Sequence, residues 1–205
     1  MKIHSVKFNF IMNFIMSASS IVFPLITFPY ISRVLMATGN GKVATASAVI
    51  TYFNMFASLG IPTYGIRACA KVRDDKEKLS KTVQELLIIN SITMFLTCIV
   101  FVVTVALVPE FAAEKELYII NGIGMVLNMF AITWLYNALE QYAYITVCNM
   151  VVKLLSLVLM FLLVHNPEDY IVYGGITVFA SSASYVFNFC LLYTSPSPRD
   201  MRRSR

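Results

Sequence analysis

Apolar residues gather along this chain into five or six runs long enough to cross a bilayer, joined by short polar connections. They fall at Phe8–Leu35, Val43–Ile66, Leu86–Val108, Leu117–Leu139, Ile145–Val164 and Ile171–Leu192. A helix gains 1.5 Å per residue, so roughly 20 apolar residues cover the hydrocarbon core. The third run, LLIINSITMFLTCIVFVVTVALV, carries no charge at all. The second is weaker, rich in Thr, Ser and Ala, but long enough, and small residues suit close helix packing. Backbone groups inside lipid must be satisfied within the chain, which predicts helices here, and the alternation of a barrel strand is absent. The first run is too long, and too poor in a small-residue cleavage site, for a removable signal peptide, so it is expected to stay as an anchor. The pattern predicts an all-α polytopic membrane protein of six spans.

Composition sharpens this reading. Hydrophobic residues make up 58% of the 205 and charged residues 13%, about half the ~25% of a soluble domain. That excludes an ordinary cytosolic enzyme, a disordered chain and a nucleic-acid-binding domain. The few charges are unevenly placed. Arg67, Lys71, Arg73, Lys76, Lys78 and Lys81 lie between the second and third runs, whereas the connection PEFAAEKE holds one Lys and HNPED neither Lys nor Arg. Lys2 and Lys7 precede the first run, with Arg33 and Lys42 after it. The positive-inside rule then puts the N-terminus and the basic connection in the cytoplasm, and six crossings return the chain there. The basic stretch alternates with Asp74, Asp75 and Glu77, which fits a solvated loop near anionic headgroups better than a nucleic-acid patch.

No site for enzyme chemistry is legible. Cys69, Cys98 and Cys148 are scattered, in or beside apolar runs, and suit packing. His4 and His165 stand alone in connections, and there is no phosphate loop, metal-ligand spacing or Ser/His/Asp set. The expectation is a non-enzyme with no cofactor and no metal. Polar residues inside the spans point further, since intramembrane polar groups are costly. Asn9, Asn13, Ser17, Ser20 and Thr27 share one face of the first span, beside Pro24 and Pro29. A bent helix with that face lines a cavity or packs through side-chain hydrogen bonds, and the sequence leaves both open. In the fifth span Thr146, Asn149, Lys153 and Ser156 share a face, with Lys153 near mid-membrane. A Lys there costs about 2.5–3.5 kcal/mol, tolerable beside a wet cavity, a counter-ion such as Glu140, or an anionic ligand. Arg33 and Arg67 sit at span ends, where snorkelling is the usual explanation. Asn121 and Asn128 share a face of the fourth span and suit packing or lining, while Gly174, Gly175, Ser181, Ser182 and Ser184 make the sixth span rich in small residues for packing.

The end of the chain changes character. Cys190–Asp200 resembles, over eleven consecutive residues, the translation of a transposase-type sequencing adapter. Residues 1–189 are therefore expected to be the natural transmembrane unit and 190–205 read-through. The formal net charge of +5 owes +3 to that tail, which leaves a modest +2 and no argument for a nucleic-acid partner.

The order of features over residues 6–189 resembles the N-terminal half of a polysaccharide-biosynthesis flippase of the multidrug/oligosaccharidyl-lipid/polysaccharide exporter superfamily. The residues that carry it are FPYISRVL, the Gly-containing connection GNGK, Tyr52-Phe53, SLGIPTYGIR, KVRDDKEKLSK, and then Trp134, Glu140, Lys153 and Asp169 in order. Ala138 stands where that family usually has Gly before Leu-Glu. The resemblance implies one lobe of a two-lobe transporter of twelve to fourteen helices in a prokaryotic inner membrane. Its cargo would be an undecaprenyl-diphosphate-linked oligosaccharide, handed on between glycosyltransferases and a polysaccharide polymerase. Arg33, Arg67 and Lys153 would meet the phosphates, with Asn9, Asn13 and Asn149 as further polar lining. A drug or cation antiporter of the same superfamily would want a buried carboxylate. A non-transporting scaffold would bury its polar stripes and leave no open space at Lys153.

Overall fold

The computed structural model describes residues 6–73, 75–139 and 142–194, with side chains at 7–8, 10–73, 75–139 and 145–185. His4, Glu140 and residues 195–205 of the expected tail lie outside the described residues, as does the side chain of Asn9. Among the described residues the fold is all-helical: α1 (Val6–Val34), α2 (Met36–Ser58), α3 (Ile61–Lys71), α4 (Lys76–Leu107), α5 (Pro109–Ala113), α6 (Lys115–Asn128), α7 (Thr133–Ala138), α8 (Tyr142–Leu163) and α9 (Tyr170–Thr194). Among the described residues five stretches are long and apolar enough to cross a membrane: Phe10–Val34, Met36–Lys71, Lys76–Leu107, Lys115–Ala138 and Ile145–Leu163. The sixth expected run falls in α9.

Three connections differ from expectation. The GNGK segment is not a loop. α2 starts at Met36, directly after a one-residue bend at Leu35, with Met36 at φ 55°. Gly39 allows the close approach: a Cβ there would lie 3.3 Å from the Pro167 carbonyl oxygen. The second run is two helices, α2 and α3, broken at Leu59 (φ 43°) and Gly60 (φ 74°). Pro62 forbids continuation, since it has no N–H and its ring clashes with the preceding turn. The fourth run is likewise broken between α6 and α7.

α1 and α8 run parallel and in register. Thr146 Oγ1 donates to the Met12 carbonyl at 3.1 Å, Lys153 Nζ to Ser19 Oγ at 2.9 Å, and Tyr30 OH to the Val164 carbonyl at 2.8 Å, each pair 134 positions apart. A constant difference in number arises only between parallel strands of chain. The intervening segment must therefore make an odd number of passes, which the three stretches between them supply.

The bundle is apolar outside and partly polar inside. Phe10, Phe14, Leu25, Phe95 and Val102 are exposed, whereas Ser19, Asn121, Thr146, Ser156, Ser182 and Ser184 are buried. In water this distribution would be unfavourable; against lipid tails it is what packing requires. One apolar cluster joins α2, α4 and α6 around Phe101, Leu117 and Met125. Another joins α3, α4 and α7 around Trp134, and a third joins α1, α8 and α9 around Ile31 and Met160.

At the basic end, Asp75 caps α4 by accepting from the Glu77 and Lys78 backbone N–H groups at 3.2 Å. At the far end Glu114 binds Lys42 and accepts from Tyr170 OH at 2.8 Å, while the Lys42 ammonium lies 4.7 Å from the Tyr170 ring centre. The hydrogen bond from Lys42 holds the Glu114 carboxyl below its ordinary range. The backbone N–H groups of His165 and Asn166 do the same for Asp169. A depressed carboxyl stabilises the fold above its unfolded pKa of about 4 and loses that contribution as pH falls through the lower, folded value. Thermal unfolding in detergent should therefore be flat above about pH 5 and fall below pH 4. Glu114→Gln should remove part of that fall at a neutral-pH cost of about 1 kcal/mol or less, because the pair is partly exposed. An unchanged acid profile in Glu114→Gln would reject the pairing.

Candidate substrate cavity

Lys153 lies halfway along α8, about 15 Å from either helix end at 1.5 Å per residue. Its ammonium donates to Ser19 Oγ at 2.9 Å and Ser20 Oγ at 3.2 Å, and stands 5.8 Å from the centre of the Phe23 ring. These partners all come from α1, fixed opposite by the parallel register. Both serine hydroxyls donate onward to the Met16 carbonyl, so their lone pairs are free to take the ammonium protons. Pro24 removes the donor that would bind the Ser20 carbonyl, which loosens α1 at this same level. No carboxylate is paired with Lys153 among the described residues.

Open space flanks the ammonium on two sides. A cavity of about 440 Å³ lies between α1, α8 and α9, with Ser20, Thr27, Lys153, Ser156 and Thr177 in its wall. A second, of about 460 Å³, reaches from Lys153 and Asn149 towards Asn128, Asn137 and Trp134. Two smaller cavities of about 300 Å³ each continue from Asn128, one towards Asn121 and Ser181 and one towards Asn90. Among the described residues no Asp or Glu contributes to any of these four walls.

The structure brings Lys153 and Asn149 together, with Asn149 Nδ2 3.8 Å from Met16 Sδ. Arg33 is exposed in the last turn of α1, about 20 Å along the helix from the Ser19–Ser20 level. Arg67 is exposed on α3, and Asn13 is exposed on α1; none of the three lines these cavities. Asn121 and Asn128, open between packing and lining, both line. Ser181, Ser182 and Ser184 also line cavities, so α9 does more than pack; Gly174 does pack, against Leu117. Sequence reasoning missed Ser19, Asn54 and Asn137. Ser19 lies off the polar stripe chosen for α1, and only the register with α8 singles it out.

A mid-span ammonium with no carboxylate partner among the described residues, beside cavities that share polar lining residues in a bundle of apolar exterior, defines a multi-pass helical membrane protein. Residues 6–203 match the family described as "Polysaccharide biosynthesis protein", and the chain belongs to that family. It is 27% identical over 184 residues to a protein of Escherichia coli (strain K12) named "Putative O-antigen transporter", covering 89% of this chain and 43% of that one. A Shigella dysenteriae protein of the same name is 25% identical over 163 residues, covering 80% and 41%. The chain thus spans about two fifths of the length of these relatives. No solved structure matches it.

Proposed function

We propose that this chain is the N-terminal lobe of a flippase that moves an undecaprenyl-diphosphate-linked oligosaccharide across the inner membrane of a prokaryote. The carrying observation is Lys153: a cation at mid-membrane whose described polar partners are two serine hydroxyls, open to cavities on both sides. Neutral hydroxyls hold an ammonium in place without cancelling its charge. A diphosphate arriving there would supply the missing anion, and a charge-assisted hydrogen bond strengthens in a low-dielectric site. The glycan would pass through the polar path while the lipid tail stays in the bilayer. Alternating access with the second lobe would expose the site to each face in turn, as substrate sites between transporter repeats do. In this reading the N-terminus is cytoplasmic, Arg33 and Arg67 act at the two mouths rather than at the centre, and Asn9, Asn13 and Asn149 add polar lining. Glycosyltransferases would supply the cargo and a polymerase would consume it. The residues beyond Phe189 play no part.

The relatives' printed name supports this reading over drug or cation efflux, and the cavity walls support it too, since among the described residues they offer a cation and no carboxylate. The open space at Lys153 weighs against a scaffold. The test uses a full-length protein carrying this half, expressed in a flippase-null strain. Lys153→Ala should lower surface glycan by about tenfold or more, because hydrogen bonds to charged groups are worth about 1.5–3 kcal/mol and 1.4 kcal/mol is a factor of ten. Lys153→Arg should retain most export. Normal glycan from Lys153→Ala at equal protein level rejects the proposal.

A further inference from the structure

We propose that the paired amides of Asn54 and Asn128 form a neutral subsite that reads sugar hydroxyl or acetamido groups, separate from the cationic position at Lys153. The inference rests on the flippase reading and names how that site selects its glycan. Asn54 lies in the last turns of α2 and Asn128 ends α6, where two spans break inside the membrane. Asn128 Nδ2 donates to Asn54 Oδ1 at 3.0 Å. A break frees backbone carbonyls, and polar side chains beside it ordinarily serve them. Here α4 performs that service. Thr93 Oγ1 donates to the Ala57 carbonyl at 2.6 Å, and Asn90 Nδ2 to the Met129 carbonyl at 3.4 Å.

The asparagine pair is therefore left with capacity to spare. Each primary amide offers two N–H donors and an oxygen acceptor, and one mutual bond uses a single donor and a single acceptor. One whole amide oxygen and three N–H donors remain for other partners. Turning both amides over leaves the same inventory.

Both side chains are half-buried and line two cavities of about 300 Å³ each, and among the described residues no charged one contributes to either wall. Thr51 and Ser181 add hydroxyls on the first of these. A neutral donor–acceptor pair beside hydroxyls complements adjacent sugar hydroxyls; it has no formal charge with which to hold a phosphate. Asn128 also lines the Lys153 cavity, so the two chemistries open into one space. A bound diphosphate would thus bring the first sugar of its glycan to the amides.

The test uses a full-length protein carrying this half, in lipid nanodiscs, with Trp134 kept as its single tryptophan. Trp134 lines both the Lys153 cavity and the cavity beside the amide pair, so its fluorescence reports occupancy of either. The probes are a polyisoprenyl diphosphate, bare and carrying one N-acetylhexosamine. The sugar-bearing probe should bind about tenfold tighter or more, since a site built to hydrogen-bond a group discriminates strongly against its absence. The double replacement Asn54→Leu with Asn128→Leu removes both partners together and strands neither. It should bind the two probes with equal affinity. Should that variant unfold, Asn54→Gln with Asn128→Gln keeps the amides but displaces them, and it should lose the preference too. Lys153→Ala should weaken both probes alike. A wild-type chain without preference, or an amide variant that weakens both probes equally, overturns the subsite. If Lys153→Ala changes neither affinity, the phosphate reading fails while the preference is still measured. Failure of the wild type to bind either probe overturns both.

Discussion

Trp134→Ala is expected to destabilise the bundle by about 3–5 kcal/mol, the range for removing a buried aromatic side chain. Trp134 is 5% exposed and belongs to the cluster that joins α3, α4 and α7. α7 is only six residues long, too short to hold itself helical without tertiary support. Its indole ring lies directly against Gly65 of α3, where an added Cβ would stand 2.6 Å from Cε3. The close approach makes a complementary prediction. Gly65→Ala alone should cost about 1–3 kcal/mol, because a buried ring is not a flexible end that can move aside. In the Trp134→Ala background the same change should cost little or restore some stability. Denaturant unfolding of the four combinations in detergent measures this coupling. Additive costs would show that the ring and the glycine do not share one contact.

Thr93→Val should cost about 1–3 kcal/mol, the penalty for leaving a buried polar group unpaired. The threonine hydroxyl has one proton, and the shortest of its three acceptors is the Ala57 carbonyl at 2.6 Å; the others, Asn90 and Ile89, lie within its own helix at 3.0 and 3.1 Å. Valine matches threonine in shape, so the change isolates the hydrogen bond from the packing. Thr93→Ser keeps the donor and should keep most of the stability. Equal stability of the valine and wild-type forms, measured by thermal unfolding in nanodiscs, would mean that the α2 break is served by something else.

The membrane class, the helical fold and most span positions were legible because they depend on hydrophobic length, which the chain displays openly. The α2–α3 break had a local signal in Leu59-Gly60-Ile61-Pro62, and the span reading passed over it. The α6–α7 break had none: Met125–Trp134 contains neither Gly nor Pro, so tertiary contacts impose it. Lys153 stood out because a charge at mid-span has a large cost whatever surrounds it. Arg33 and Arg67 resembled it in charge but not in depth, and the fold leaves both off the walls of the Lys153 cavities. Asn54 escaped notice because an amide among Ser and Thr looks unremarkable until a second amide from another span is seen to meet it.

The joint between α1 and α2 carries a mechanical consequence. A connection of one residue stores no slack, and Ile31 and Leu35 beside it are wholly buried. α1 is softened at Pro24 and Pro29, between the Lys153 level and that joint. Displacement of its lower part is taken up at the prolines, whereas rotation of its upper end passes to α2 as through a cranked lever. α8 leaves the same end of the bundle by the longer segment 164–169, which can absorb such a rotation. A rotation of the upper end of α1 would thus reach α2 directly, whereas one arising beside Lys153 would first be taken up at Pro24 and Pro29.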